Sequence, residues 1–270
     1  ETTFTDGTPL YLNTSPELQM KKLLARGYNN IFNITKTFRN GEIGGPTHNP
    51  EFTMLEWYRT DADYRDIMRD CEYLFKSLST RFHEKPWKKI SVHDLFLEKC
   101  DLNLLENRDY ETFKKTATAK GFDTAGCNDW DDIFFKIFLN HIERDLGKNS
   151  PTIIYDYPST QAALAKKSAK EPFYAERFEL YVDGIELANA FSELTDVSEQ
   201  RQRLQEEQQQ RTKLGKTVFP IDEEFLDSLE SIHTPCAGIA LGIDRLIMLL
   251  LDKDSIEEVL LFPLTKMLNQ

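Results

Sequence analysis

The chain predicts an α+β fold, an antiparallel sheet flanked by helices. Three observations carry this. Short runs with bulky apolar residues, at 31–38, 52–59, 152–157, 175–182, 185–191 and 238–242, read as strands. Consecutive runs are joined by a polar, Gly-containing loop at 41–46 and by the turn dipeptide Asp183-Gly184, and both connections demand antiparallel neighbours. Helical periodicity is gathered between the runs, at 64–82 and 91–146. At 270 residues, with no repeat and no clear linker, the chain reads as a single domain over 1–270.

Taken in order, Ser15-Pro16-Glu17 opens the first helix, with Ser as N-cap, Pro at the first helical position and an acid in the first turn. Leu18, Leu23 and Leu24 suit one buried face. Ile31, Phe32, Ile34 and Phe38 are the bulky residues of the first strand, which forms a hairpin with 52–59. Trp130, Ile133, Phe134, Ile137, Phe138 and Ile142, spaced three and four apart, read as core packing. Residues 197–214, with Gln205-Glu206-Glu207-Gln208-Gln209-Gln210-Arg211, form a polar helix with a solvated face. The strand 238–242 feeds a helix that begins near Asp244.

Composition narrows the function classes. Hydrophobic content of 40% with 11% aromatics supports a real core. No apolar run reaches the roughly 18 residues of a membrane span. Glu1-Thr2-Thr3-Phe4 lacks the basic and apolar regions of a signal peptide, so the expected location is the cytoplasm. Cys71, Cys100, Cys127 and Cys236 are scattered and read as buried reduced thiols. A net charge of −12 gives no support to a polyanionic partner such as tRNA.

Alternation along the strands places candidate site residues. Phe52, Met54, Glu56 and Tyr58 point one way and can form a pocket; in a plain core Glu56 would lack a partner. The Asp183-Gly184 turn pairs Val182 with Ile185, Tyr181 with Glu186, and Glu179 with Ala188. Glu179, Tyr181, Glu186 and Ala188 then share a face, with the two acids diagonal neighbours at roughly 7–8 Å. Such a pair can hold a hydrated Mg²⁺, or can be two rim charges. Simple alternation sends Asn189 to the opposite face from Glu186. Two arginines complete the set: Arg39 in Phe38-Arg39-Asn40-Gly41-Glu42, and Arg245 after Gly238-Ile239-Ala240-Leu241-Gly242-Ile243-Asp244. A guanidinium fork beside a Gly-rich strand suits a triphosphate.

These stretches, with His48-Asn49-Pro50-Glu51-Phe52-Thr53-Met54-Leu55-Glu56-Trp57-Tyr58, resemble motifs 2 and 3 of the class II aminoacyl-tRNA synthetases, in the lysyl branch. The likeness runs from about Leu10 to Pro263. Tyr157-Pro158-Ser159-Thr160-Gln161-Ala162-Ala163-Leu164-Ala165, Gly184-Ile185-Glu186-Leu187-Ala188-Asn189 and Ala240 are similar to the elongation factor P–(R)-β-lysine ligase family. Lysyl synthetases typically carry Gly where this chain has Ala188 and Ala240.

The resemblance implies a class II synthetase-like catalytic domain that uses ATP and Mg²⁺. It implies activation of (R)-β-lysine as an adenylate and transfer to a lysine of elongation factor P. By the same likeness Arg39 holds the α-phosphate and the substrate carboxylate, and Arg245 holds the γ-phosphate. Phe52 stacks on adenine, and Asn40, Gly41, Glu42, His48, Asn49, Leu180 and Gly242 contact the nucleotide. Glu179 and Glu186 organise Mg²⁺. Ser15, Pro16, Glu17, Glu56, Tyr58, Glu186, Asn189, Glu193 and Ala240 line the amino-acid pocket. A bulge near Ala188–Ala190, or the strand ending there, is expected to reconcile Asn189 with that pocket.

The chain departs from the family pattern where Gly41 stands between Asn40 and Glu42, where the loop to His48 is one residue longer, and where Ala190 replaces a usual glycine. Motif 1 and an anticodon-binding barrel are not found in 1–270; a homodimer is expected if motif 1 lies upstream. Two alternatives stand beside this reading: a lysyl-tRNA synthetase fragment acting on α-lysine and tRNA, and a non-catalytic binding relative.

Overall fold

The structure is a computed structural model that describes residues 2–41, 45–83 and 86–268. Two short strands, β1 (Thr2–Thr3) and β2 (Pro9–Leu10), pair with each other. Seven more form the main sheet: β3 (Ile31–Phe38), β4 (Glu51–Thr60), β5 (Lys88–Ser91), β6 (Thr152–Pro158), β7 (Tyr174–Val182), β8 (Ile185–Ser192) and β9 (Cys236–Gly242). Their order is β3-β4-β9-β8-β7-β6-β5, and every pair is antiparallel except β5 with β6. The helices are α1 (Glu17–Ala25), α2 (Tyr64–Leu78), α3 (Val92–Cys100), α4 (Tyr110–Ala119), α5 (Trp130–His141), α6 (Val197–Lys213), α7 (Glu223–Leu229), α8 (Ile243–Leu250) and α9 (Leu264–Leu268). This is the expected α+β arrangement. Strand β5 and helix α7 had no clear signal in the sequence. None of the helices among the described residues is long and apolar enough to cross a membrane.

The two faces of the sheet are covered differently, and that places the site. On one face Phe178, Leu180, Ala188, Ala190, Ile239 and Leu241 meet α2 through Ile67, Met68, Cys71 and Phe75, and α8 through Leu246 and Leu249. On the other face α3, α4 and α5 cover the β5–β7 end, with Phe96, Phe134 and Phe138 stacked. At the opposite end Met20 and Leu24 of α1 pack on Tyr58 and Cys236. Between these two groups the second face carries polar side chains. The periodic run of α5 is core, as its spacing predicts. The four cysteines are free and buried.

Local details differ from expectation. Helix α1 starts at Glu17, with Pro16 as its cap residue. The Ser15 hydroxyl does not cap a helix interior; it accepts from Glu17 N at 3.1 Å and donates to Glu56. Leu23 is exposed, because α1 turns Met20, Lys21, Lys22 and Leu24 inward. Helix α6 is mostly solvated but docks through polar anchors: buried Gln200 donates to Ala163 O, and Arg203 donates to Ala165 O.

Helix α2, which backs the central strands, is closed by a reciprocal cap. Asp63 accepts from Arg65 N and Asp66 N at 2.8 and 3.2 Å, and Asp66 accepts from Asp63 N at 3.0 Å. Asp63→Ala is expected to cost about 1 kcal/mol, the usual loss for such a cap, read as a lowered urea midpoint at unchanged slope.

Candidate active site

Register decides what shares the polar face, since directly paired strand residues point the same way. Across β4 and β9, Met54 faces Gly242, Glu56 faces Ala240, and Tyr58 faces Gly238. Ala240 in turn pairs with Asn189, and Asn189 with Glu179; Gly238 pairs with Phe191, and Phe191 with Arg177. The site face of β9 is therefore Gly-Ala-Gly, a low floor between taller walls. At Gly238 the floor is as low as it can be: a Cβ there would lie 2.2 Å from Tyr58 Cε1 and 2.7 Å from Glu193 Oε1.

Two bulges interrupt the pairing of β7 with its neighbours. In β8 the pairing jumps from Tyr181–Glu186 to Leu180–Ala188, so Leu187 is the extra residue. The bulge lies earlier than the expected Ala188–Ala190, and it changes the predicted pairing: Glu179 faces Asn189, not Ala188. Ala188 turns to the other face and is buried against Leu180 and α2, away from the polar face. Glu186 and Asn189 come to one side, which strict alternation forbids. Between β6 and β7 the pairing passes from Tyr155–Phe178 to Tyr157–Ala175, so Glu176 and Arg177 of β7 stand against the single Asp156 of β6, which is held at φ +59°. Asp tolerates that left-handed conformation better than most residues. The second bulge swings Tyr157 onto the site face, where its hydroxyl donates to Glu179 Oε2 at 2.5 Å.

Glu179 is the best-held carboxylate. Besides Tyr157, it accepts from Tyr181 OH at 2.8 Å and from Arg177 Nη2 at 2.5 Å. Arg177 also donates to Asn189 Oδ1 at 3.0 Å and lies 4.5 Å over the Tyr157 ring. Sequence reasoning missed Arg177, although it stands two residues before Glu179 and so on the same face. Leu180, named for a nucleotide contact, points its side chain into the core. Burial, and then the charge of Glu179, push the Glu186 carboxyl above its ordinary range.

The arginine end gathers Arg39, His48, Phe52, Glu186, Gly242 and Arg245 around one cavity of about 160 Å³. Arg245 donates to Thr47 O at 3.1 Å, to Glu186 O at 2.8 Å and to His48 Nε2 at 2.9 Å. Arg39 lies over the Phe52 ring at 5.3 Å and donates to Thr14 O. Asn40 and Gly41 are exposed at the end of β3, and Gly41 holds φ +82°. Glu42 lies outside the described residues. Asn49 is buried, and its amide is committed to Glu51 O and Leu264 N. Asp244, not singled out from sequence, ties the start of α8 to β4 by accepting from Thr53 N at 2.5 Å.

The acidic end lies along β4, beyond Ala240. Glu56 is buried, accepting from Ser15 Oγ at 2.5 Å and from Tyr58 OH at 3.1 Å. Burial still pushes its carboxyl up to about 7. Glu193 is pushed up to about 8 by burial, against the pull of Lys21. Lys21 Nζ lies 2.7 Å from Glu17 Oε1 and 2.5 Å from Glu193 Oε2. Pro16 precedes this group as the cap of α1.

The residues present fit Mg²⁺ in a limited way. Among the described residues no group of three or more His, Cys, Asp or Glu could enclose a metal. Glu186 and Glu179 offer two carboxylates, one of them already accepting three hydrogen bonds. That suits an ion that takes its other ligands from phosphate and water.

An antiparallel sheet carrying one arginine at the end of its β3–β4 hairpin and another after a Gly-rich strand defines the catalytic domain of a class II synthetase. The family model of class II tRNA synthetases (D, K and N) matches residues 2–266. Curated relatives are named elongation factor P–(R)-β-lysine ligase. The protein of Pectobacterium atrosepticum is 40% identical over 95% of this chain and 78% of its own length. That of Vibrio atlanticus is 38% identical over 96% and 80%, and that of Salmonella typhi 40% over 95% and 78%. The chain belongs to the class II tRNA synthetase family and, within it, to the elongation factor P–(R)-β-lysine ligases. It is thus a ligase of the ATP-using, adenylate-forming kind.

Gly238→Ala tests the floor. The added methyl must displace Tyr58 or Glu193. Overpacking of this kind costs roughly 1–3 kcal/mol, to be read by urea denaturation, and is expected to raise the KM for the amino acid far more than that for ATP.

Proposed function

We propose that this chain activates (R)-β-lysine with ATP and transfers it to a lysine of elongation factor P. One observation carries the reading. Buried Glu56 and Glu193, with half-buried Glu17, stand on the same sheet face as the cavity of Arg39 and Arg245, and Ala240, which lines that cavity, pairs with Glu56. Ammonium groups suit the first end and phosphates the second. Between them, Ala240 and Asn189 face each other across β9 and β8.

In this reading the substrate carboxylate lies at Arg39 and attacks the α-phosphorus of ATP. The bond to the bridging oxygen breaks, and pyrophosphate leaves with its charge toward Arg245. The acceptor lysine's ε-amine then attacks the acyl carbon, forming the amide, expelling AMP and losing a proton. The protein contributes position and charge to both steps. Mg²⁺, held through Glu186 and Glu179, would neutralise phosphate charge when bound. Pro16 shapes the entry of α1 into the pocket, and Phe52 offers a ring for adenine, with Arg39 moving off it.

The deciding experiment is ATP–pyrophosphate exchange with (R)-β-lysine, with α-lysine and with no amino acid, followed by mass measurement of elongation factor P. Exchange with (R)-β-lysine well above both others is expected. Equal or better exchange with α-lysine would point to the lysyl-tRNA synthetase activity instead, and none with either to a non-catalytic relative.

Arg245→Ala should abolish exchange with the fold retained. Loss of a charge-assisted phosphate contact costs about 1.5–3 kcal/mol in binding, and more where the contact acts in the transition state. Near-normal exchange in a folded variant removes Arg245 from the site. Ala240→Gly should relax the preference for β- over α-lysine, because its methyl stands on the pocket floor; Ala188, buried behind the sheet, does not share this role. A methyl-sized difference is worth roughly 10- to 200-fold. A ratio of the two kcat/KM values unchanged within about threefold, below that range, rules the role out.

A further inference from the structure

Lys21 is the least expected group in the pocket. It sits on α1, one turn after Glu17, and is 1% exposed. Its ammonium lies 2.7 Å from Glu17 and 2.5 Å from Glu193, and 5.1 and 6.0 Å from the Phe191 and Phe225 ring centroids. Its neighbour Lys22 points elsewhere, to Asp222 and Glu224. A buried lysine normally loses its charge. Here burial is opposed by Glu17 and Glu193 and outweighed, so the pKa of Lys21 rises.

The groups facing Lys21 are few. Helix α1 supplies Glu17, β4 supplies Glu56 and Tyr58, the end of β8 supplies Glu193, and β9 supplies Cys236. Three carboxylates against one ammonium leave two negative charges when all are ionised. Glu193 Oε1 is buried and receives no hydrogen bond among the described residues. It is left for a donor that the described residues do not supply.

We propose that Lys21 is a positioning residue of the amine pocket, a resident cation that keeps Glu17 and Glu193 turned inward and able to ionise, leaving a net demand for two ammonium groups. The inference rests on the diamino-acid reading above. Its physical content is a charge count. Without Lys21, two buried carboxylates, Glu56 and Glu193, and the half-buried Glu17 would stand together with no cation. Glu193 and Glu56, already raised, would rise further, so a larger share of them would hold protons at neutral pH than in the wild type. Each ammonium that bound would first have to expel one.

The test compares wild type with Lys21→Gln, Lys21→Met and Lys21→Arg, by calorimetric binding of (R)-β-lysine and of 1,4-diaminobutane between pH 6.5 and 8.5. Thermal unfolding is followed in parallel. Gln keeps hydrogen-bonding capacity without charge, and Arg keeps the charge. Gln and Met are expected to weaken both ligands about tenfold or more at pH 7, on the scale of one pKa unit per carboxylate, with binding releasing more protons than in wild type. The sign of the pH effect is fixed. A carboxyl with a raised pKa holds its proton at low pH, so the deficit should shrink as pH rises. Lys21→Arg should stay within about threefold of wild type, short of a full pKa unit.

Lys21→Gln binding like wild type, or a deficit independent of pH, overturns the inference while leaving the diamino-acid reading intact. So does unfolding of the Gln and Met variants alike with Arg folded, which makes Lys21 a stability residue. Wild type that binds neither ligand overturns the reading itself, and the inference with it.

Discussion

Burying carboxylates on one face of a sheet is the condition on which this structure turns. Glu56, Glu179 and Glu193 are 1%, 8% and 5% exposed. A carboxylate removed from water costs several kcal/mol unless it is paired and hydrogen-bonded. Each of the three is met by donors from a different part of the chain. Glu56 takes hydroxyls from the approach to α1 and from β4; Glu179 takes two phenols and a guanidinium from β6 and β7; Glu193 takes the ammonium of α1. The partners exist only in the assembled sheet, so the fold and the site are one requirement.

The sheet meets that requirement by irregularity. A regular β8 would send Glu186 and Asn189 to opposite faces, and a regular β6 would bury Tyr157 on the wrong side. The extra Leu187 of β8 corrects the first, and the step at which Glu176 and Arg177 of β7 oppose the single Asp156 of β6 corrects the second. Bulges re-aim side chains at the cost of a ladder bond, and here both face the same carboxylate, Glu179. The small residues of β9 do complementary work: at Gly238 the missing side chain lets the Tyr58 ring and the Glu193 carboxylate lie directly on the strand.

The two ends of the site are tuned in opposite senses. At the acidic end, burial lifts Glu56 and Glu193 toward neutrality, a state that an incoming cation reverses. At the arginine end, the donors of Arg245 go to two backbone carbonyls and an imidazole. Such partners orient a guanidinium without cancelling its charge, which a carboxylate would do. Amines at one end and a triphosphate at the other are what this gradient favours.

Much of this was legible in the sequence. Strand β3 lies where its apolar run puts it, and β4, β6, β7, β8 and β9 lie within two residues of theirs, because alternation is a local property of the chain. The Asp183-Gly184 turn set the first two pairs of its hairpin correctly. Glu56, Tyr58, Glu179 and Glu186 were placed on the polar face by the same local rule. The rule failed at Asn189 and Ala188, one bulge further on, and it was silent about Tyr157. The sequence by itself thus determined most of the elements, the turn between β7 and β8 and the residue types at the site. Only the tertiary structure decided that β9 runs between β4 and β8, that two bulges gather their residues around Glu179, and that Lys21 lies inside the acidic end. Those choices depend on contacts between residues tens to hundreds of positions apart, and on how completely helices cover a charged face. Neither quantity is encoded in any local pattern of residues.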